Sequence, residues 1–207
     1  ESYTYAELHR EVNRCAAVLQ ELGVQKGDRV IIYMPMIAEA AIAMLACVRL
    51  GAIHSVVFGG FASANLAVRI DDAKPKLMIT ADAGMRGGKA VPYKHLVDES
   101  CCLAKFSPKK VLIVNRGLDK AMKLIEGRDL DYATLRAQHL DTEVPITWLE
   151  SNEPSYILYT SGTTGIPKGI QRDTGGYTVA LAATMKYLCN TSPGEAIFTT
   201  SDIGWVV

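Results

Sequence analysis

Short runs rich in valine and isoleucine alternate with helix-like stretches over the first half of this chain. The strand-like runs are GDRVIIYM, AIHSVVF, KLMITA and KKVLIV, and the helices predicted between them cover residues 37–50, 62–73 and 93–105. Parallel strands need such alternation, because each crossover helix returns the chain to the same end of the sheet. The sequence therefore predicts the α/β fold class, with a mainly parallel sheet and helices on both of its faces.

The first predicted helix, which lies before these strands, carries its own start and stop signals. Thr4 is a candidate N-cap, and Glu7 follows at the spacing of a capping box. Gly23 comes after the last apolar position and supplies a C-terminal stop. One apolar face collects Leu8, Val12, Cys15, Leu19 and Leu22. This spacing predicts an amphipathic helix.

The second half of the chain is less regular. Residues 116–153 are polar and are interpreted as a helix with connecting loops inside the same domain. SYILYT is then predicted as a short buried strand, residues 173–189 as a helix, and AIFTT as a further strand.

Composition and charge exclude several classes of partner. Apolar residues make up 49% of the 207 residues and charged residues 21%, which suits a packed core and is unlike a disordered chain. The 22 basic and 22 acidic residues cancel, so the overall charge does not predict binding to nucleic acid or to an anionic membrane. The longest apolar run, residues 40–48, is too short to span a bilayer. We therefore expect neither nucleic acid nor a membrane as a partner.

The cysteines and histidines indicate no metal or redox centre. The cysteines show no C-x-x-C spacing and their number is odd, which favours reduced structural thiols in a cytosol-like compartment. The histidines lie apart, and no acid or nucleophile lies at a spacing typical of a catalytic site. They are interpreted as structural or surface residues. These residues are Cys15, Cys47, Cys101, Cys102, Cys189, His9, His54, His95 and His139. No metal site is predicted.

The stretch YTSGTTGIPKG, residues 159–169, concentrates hydroxyl side chains and glycines around one lysine. Exposed backbone N–H groups beside a compact cation suit a polyanion such as triphosphate, although ordinary surface turns have a similar composition. A Walker-type loop has the pattern G-x-x-x-x-G-K-[ST]. Counting from Gly162 places Pro167, Lys168 and Gly169 at its last three positions, so the match fails. This argues against a kinase or NTPase with a Walker-type loop and favours a different kind of phosphate-binding loop.

The order strand-T-S-G-T-T-G-x-P-K-G resembles the phosphate-binding loop of the acyl-adenylate-forming superfamily at each position from Thr160 to Gly169. Within that superfamily the chain is similar to the short-chain acyl-CoA synthetases. The stretches that carry this likeness are HSVVFGGFASANLAVRIDDAKPKLMITADAGMRGGK, MPMIAEAAIAMLACVRLGA and SDIGWVV. QRDTGGY resembles the propionate-CoA ligases more than the acetate-CoA ligases. The resemblance covers nearly the whole chain, which is far more specific than the loop alone.

The resemblance implies two half-reactions, in which a carboxylate and ATP with Mg²⁺ form an acyl-adenylate, and the thiol of CoA then displaces AMP. The loop would hold the β- and γ-phosphates of ATP through backbone N–H groups and hydroxyls. Lys168 either supplies charge, braces the loop, or is a solvated surface lysine. The implied phosphate-binding residues are Thr160, Ser161, Gly162, Thr163, Thr164, Gly165 and Lys168. No catalytic residue is assigned, because the carboxylate is itself the nucleophile and catalysis is by positioning and charge stabilisation.

The resemblance also implies contacts to CoA and to the acyl chain. In RGGK, two cations flank a glycine pair that allows close approach, which suits the phosphates of CoA, although a solvated basic turn has the same composition. The implied CoA-binding residues are Gly59, Gly60, Arg86, Gly87, Gly88 and Lys89, and the implied acyl pocket is Trp205, Val206 and Val207. Acetate enzymes carry threonine in place of Val207. The more apolar wall suits an acyl chain one methylene longer, a discrimination worth about 1–3 kcal/mol.

The resemblance further implies an incomplete N-terminal AMP-binding domain, residues 1–207, without the C-terminal domain. In the family, the residues that bind adenine, ribose and magnesium come after the stretch that corresponds to this chain. The C-terminal catalytic lysine also comes after it. We therefore expect a fragment that completes neither half-reaction and self-associates through uncovered apolar surface. The expected compartment is the cytoplasm, with the mitochondrial matrix as an alternative. Other readings are an acetate-CoA ligase, a ligase for acrylate or butyrate, and a non-catalytic α/β phosphate-binding or interaction module.

Overall fold

A computed structural model describes residues 2–160 and 167–205 of the chain. The strands are β1 (Arg29–Tyr33), β2 (Ile53–Val56), β3 (Leu77–Ala81), β4 (Gly84–Arg86), β5 (Lys89–Val91), β6 (Val111–Val114), β7 (Asp129–Asp131), β8 (Pro154–Thr160) and β9 (Lys168–Asp173). The helices are α1 (Tyr5–Glu21), α2 (Ala38–Leu50), α3 (Ser63–Ala73), α4 (Tyr93–Leu103), α5 (Tyr132–Ala137) and α6 (Thr174–Ala183), and a π-helical turn (Thr184–Leu188) continues α6.

The main sheet has the strand order β7-β6-β3-β1-β2-β8-β9. Neighbouring strands from β7 to β8 are parallel, and only the last pair, β8 and β9, is antiparallel. A separate antiparallel hairpin, β4–β5, follows β3. The predicted α/β class with a mainly parallel sheet is therefore confirmed.

Both faces of the sheet are covered, as the sequence predicts. In β1, Val30 and Ile32 face the apolar cluster shared with α1, α2 and α5. Ile31 and Tyr33 face the opposite cluster, which is shared with α3 and α4. A central parallel strand buried on both faces has no solvent-facing positions, and this explains its continuous apolar run.

The predicted start of α1 is confirmed in atomic detail. The Thr4 hydroxyl accepts a hydrogen bond from the Glu7 backbone N–H, and the Glu7 carboxylate accepts one from the Thr4 N–H at 2.7 Å. These two bonds satisfy donors that the first helical turn leaves unpaired. At the end of α2, Gly51 adopts a left-handed conformation with φ of 67°, which glycine takes without strain.

Four strands were not predicted, and one predicted strand is wrong. The strands β7 and β9 and the hairpin β4–β5 have few apolar residues and depend on the neighbour with which each one pairs. AIFTT, residues 196–200, forms no strand: Ile197 and Phe198 are exposed, and no strand in the described part of the chain pairs with them. Its β-branched and aromatic composition is insufficient, because a strand needs a partner for its backbone hydrogen bonds.

Buried charges fix β7 against α4. The Lys94 ammonium lies 2.6 Å from the Asp98 carboxylate and 2.9 Å from that of Asp129, and the Lys94 and Asp129 side chains are almost fully buried. Arg128 pairs with both aspartates. This network gives the short strand an anchor that its own composition does not reveal.

The free cysteines divide into buried and exposed groups. Cys15, Cys47 and Cys101 are buried, whereas Cys102 and Cys189 are exposed. Within residues 2–160 and 167–205, no three His, Cys, Asp or Glu side chains are grouped closely enough to hold a metal ion. In the same ranges, none of the helices combines the length and apolar character needed to cross a membrane.

Candidate functional site at the carboxyl edge of the sheet

The carboxyl ends of the parallel strands bring several predicted site residues to one edge of the sheet. Residues 58–61 follow β2, the hairpin β4–β5 follows β3, and the phosphate motif follows β8. Open α/β sheets bind their ligands at this edge, because loops and helix starts converge there. We call this region the carboxyl edge.

The strands β8 and β9 hold the two ends of the phosphate motif side by side. Thr160 pairs with Lys168, and Tyr159 pairs with Gly169. Paired residues of antiparallel strands project to the same face with Cβ atoms about 5 Å apart, so the hydroxyl and the ammonium share one side of the ladder. Lys168 is exposed, as an anion-binding cation requires.

The middle of the phosphate motif lies outside the described residues. This applies to Ser161, Gly162, Thr163, Thr164 and Gly165. Their assignment to phosphate binding stays a prediction.

The predicted CoA-binding stretch RGGK forms the tip of the hairpin β4–β5. Arg86 pairs with Lys89, which places two cations next to each other. Between them, Gly87 and Gly88 have φ values of 55° and 77°. A two-residue turn with positive φ at both positions strongly favours glycine. All four residues are exposed, so the tip is open to an anionic ligand.

Gly60 touches this cationic tip. A methyl group at Gly60 would lie 2.6 Å from Arg86 Nη1 and would overlap the ring of Phe58. The Arg86 guanidinium stands over the same ring, 5.8 Å from its centroid. A methyl group at Gly59 would instead overlap the Tyr93 hydroxyl. Gly60 and Arg86 are thus brought together, whereas Gly59 has a packing reason to lack a side chain.

Trp205, predicted to line the acyl pocket, packs against the loop after β2. Its ring lies 5.1 Å from the Phe58 ring and 5.9 Å from the Phe61 ring, and 45% of the residue is exposed. Val206 and Val207 lie outside the described residues, so their role in the pocket stays a prediction.

Arg69 is a residue of this edge that the sequence reasoning missed. It lies on α3 and is only 5% exposed. Its guanidinium is 4.5 Å from the centroid of the Phe61 ring and 5.3 Å from that of Tyr159, and Nη1 donates to the Asn65 carbonyl. Burial lowers the pKa of Arg69, yet arginine stays protonated at neutral pH. Arg69 therefore connects the phosphate motif with the aromatic rings beside Trp205.

Asp82 organises the loop after β6. Its buried carboxylate accepts hydrogen bonds from the backbone N–H groups of Arg116, Leu118 and Asp119, at 3.0, 2.7 and 3.1 Å. Burial favours the neutral carboxyl, but the backbone donors outweigh it and hold the pKa of Asp82 below its ordinary value. The loop is thereby fixed at the carboxyl end of β3.

A cavity of about 510 Å³ lies between α6 and the face formed by β2 and β8. Its lining includes His54, Tyr156, Tyr177 and Trp205. The His54 ring stacks on Tyr156, and among the described residues its Nδ1 has no hydrogen-bond partner. Burial lowers the pKa of His54 to about 4, so the ring is neutral at pH 7. This placement fits the interpretation of His54 as a structural residue.

Comparison with known proteins shows that the chain is similar to part of several acyl-CoA synthetases. A propionate–CoA ligase of Salmonella typhimurium is 62% identical over 206 residues, which cover 100% of this chain and 33% of that protein. The Escherichia coli propionate–CoA ligase is 60% identical, with the same coverage. The human mitochondrial acyl-CoA synthetase short-chain family member 3 is 49% identical over 100% of this chain and 30% of its own length. The chain thus spans about a third of the length of these curated relatives.

A solved structure agrees with the fold. The acetoacetyl-CoA synthetase from Streptomyces lividans matches with a TM-score of 0.88 and 31% identity over 99% of this chain and 31% of that chain. The AMP-binding enzyme family matches residues 1–207. Both the family resemblance and the fold expected from it are confirmed, and this chain belongs to the AMP-binding enzyme family.

Proposed function

We propose that this chain is part of an ATP-dependent, AMP-forming short-chain acyl-CoA ligase that converts propionate, ATP and CoA to propionyl-CoA, AMP and pyrophosphate. The identity of 62% with a propionate–CoA ligase supports the acyl substrate. One structural observation carries the proposal. A continuous series of ring and cation contacts links Arg86, Trp205 and Tyr159 at the carboxyl edge, and Tyr159 adjoins the Thr160–Lys168 pair.

In this proposal the Thr160–Lys168 pair binds the phosphates of ATP. The hydroxyl of Thr160 donates to a non-bridging oxygen, and the ammonium of Lys168 offsets the charge that grows on departing pyrophosphate. Mg²⁺ would enter with ATP, and the protein residues that the family uses for magnesium would belong to the longer protein.

The hairpin tip binds the nucleotide end of CoA in the same proposal. Arg86 and Lys89 stand side by side and exposed, which suits two phosphate groups. The glycine pair between them leaves the backbone N–H groups accessible to phosphate oxygens. Trp205 would form part of the wall for the acyl chain, where its apolar ring excludes water.

We assign residues 1–207 to an incomplete AMP-binding domain, because the chain spans about a third of its curated relatives. The C-terminal domain and the remaining substrate contacts would belong to a longer protein, so the chain by itself is proposed to be inactive. The buried free cysteines suit a reducing compartment such as the cytoplasm.

We also propose weak self-association of this chain. No residue of α6 is buried, and several apolar side chains of this region are exposed, among them Val179, Leu188 and Phe198. Apolar patches of this kind favour contacts between copies. Sedimentation velocity at increasing concentration tests this proposal, and a single monomeric species at all concentrations would contradict it.

Calorimetric titration of the chain with ATP–Mg²⁺, pyrophosphate and CoA tests the proposed function. We expect Lys168→Ala to weaken pyrophosphate binding, and Arg86→Ala to weaken CoA binding, each roughly tenfold, as expected for one charge-assisted contact. Lys109→Ala removes an exposed lysine before β6, away from this edge, and serves as the matched control. Equal affinities in all variants, or no binding to the unmodified chain, would contradict the proposal that both half-sites are present.

A further inference from the structure

We propose that helix α3 positions the ends of the phosphate motif by gripping the side chain of Tyr159 between Arg69 and Asp72. We call the contacts of Tyr159 with Arg69 and Asp72 the grip, and these contacts are observed in the structure. Its importance for ligand binding rests on the function proposed above. Neither α3 residue belongs to the phosphate motif, so this is a positioning role rather than a direct contact with substrate.

Tyr159 is held at two places. The Tyr159 hydroxyl donates a hydrogen bond of 2.7 Å to Asp72 Oδ2, and the Arg69 guanidinium lies 5.3 Å from the ring centroid. Arg69 and Asp72 are three positions apart, so they project from the same side of the helix. Helix α3 therefore holds Tyr159 through two contacts, one to the hydroxyl and one to the aromatic ring.

The grip extends from β8 to β9 through Gly169. Gly169 pairs with Tyr159, and a methyl group at Gly169 would lie 3.1 Å from Tyr159 Cε1 and 3.4 Å from Asp72 Oδ2. The tyrosine ring thus packs closely against the Gly169 backbone. The next pair along the ladder is Thr160 and Lys168, so fixing Tyr159 also fixes both described ends of the phosphate motif.

Arg69 adds charge to this arrangement. It is 5% exposed and lies between the rings of Phe61 and Tyr159, where water does not screen its charge effectively. Because Tyr159 directly precedes Thr160, the cation offsets the negative charge that Asp72 brings to this end of the phosphate motif. Lysine at this position would keep the charge but lose the planar contact with both rings.

Hydrogen exchange of backbone amides tests the grip independently of any ligand. We expect Tyr159→Phe and Arg69→Met to speed exchange in the β8–β9 ladder roughly tenfold or more, the size expected for losing a hydrogen bond to a charged group. Exchange in β1 and β3 should not change. Tyr5→Phe is the matched control, because it removes the same hydroxyl from an exposed residue of α1, away from this ladder. Equal ladder exchange in all these chains would overturn the proposal.

Pyrophosphate and CoA titrations of the same variants test the positioning role. We expect Tyr159→Phe to weaken pyrophosphate binding roughly tenfold with unchanged CoA binding, whereas a general loss of stability would weaken both. We expect Arg69→Met to weaken pyrophosphate binding more than Arg69→Lys does. Unchanged pyrophosphate affinity in Tyr159→Phe and Arg69→Met would overturn the positioning role. If the unmodified chain binds no pyrophosphate, the proposal that this chain contains the phosphate half-site fails, while hydrogen exchange still decides the grip.

Discussion

The burial of His54 makes the stability of this protein depend on pH. An exposed histidine in the unfolded chain has a pKa near 6.5, whereas burial lowers the pKa of His54 in the folded chain to about 4. Between these values the unfolded state binds a proton that the folded state does not bind. The free energy of unfolding is therefore fully retained above about pH 6.5 and falls as the pH is lowered toward 4.

The size of the effect follows from the two pKa values. Their difference of about 2.5, at about 1.4 kcal/mol per unit, predicts a loss of about 3 kcal/mol by pH 4. The structure supplies the cause. His54 is 5% exposed, stacks on Tyr156, and has no hydrogen-bond partner for Nδ1 among the described residues, so protonation would put an unpaired charge into the core.

Urea unfolding from about pH 7 to about pH 4 measures this contribution. The comparison uses the unmodified chain, His54→Gln, and His95→Gln, which changes an exposed histidine on α4 in the same way. We expect His54→Gln to lose about 3 kcal/mol less over this range than the other two chains. Carboxylates titrate in all three chains, so their effect cancels in the difference. An equal pH dependence in all three would refute the reasoning.

Three further changes test other parts of the structure. Lys94→Ala should destabilise the fold by about 3 kcal/mol in urea unfolding, because it deprives the buried Asp129 of a cation; an unchanged midpoint would contradict this. Asp82→Asn should cost about 1–3 kcal/mol at neutral pH. Because its depressed pKa makes the Asp82 contribution disappear in acid, the same unfolding measurement at low pH should show a smaller cost, and an equal cost at both pH values would count against this account. Gly60→Ala should weaken CoA binding roughly tenfold in calorimetry by displacing Arg86, and the loss should shrink in an Arg86→Ala background. Full additivity of these two changes would show that the contact is unimportant.

Elements with local signals were predicted well from the sequence. The capping pair Thr4 and Glu7 lies within one helical turn, and the apolar spacing that follows needs no distant partner to be recognised. The central strands were visible because burial on both faces leaves a continuous apolar run. By contrast, β9 has the polar sequence KGIQRD and forms a strand because β8 pairs with it.

The candidate site was predicted only in part, because local sequence patterns do not indicate which distant segments come into contact. The glycine pair in RGGK lies in a tight turn between two cations, which is compatible with both a CoA site and a solvated basic turn. The closeness of Gly60 to Arg86 supports their common assignment to CoA, which stays a prediction. Arg69 was missed because arginine on a helix is usually solvated. The available signal was its position on the buried face of α3, where Leu66 and Ile70 are apolar.

The way in which Asp82 holds the loop after β6 has a consequence for how this edge can diversify. The carboxylate bonds to main-chain N–H groups at Arg116, Leu118 and Asp119, and every amino acid except proline offers such a group. The side chains at these positions are therefore free to vary without loss of these anchoring bonds. Evolution, or a mutant library, can thus change the side chains of this loop while its backbone conformation is preserved.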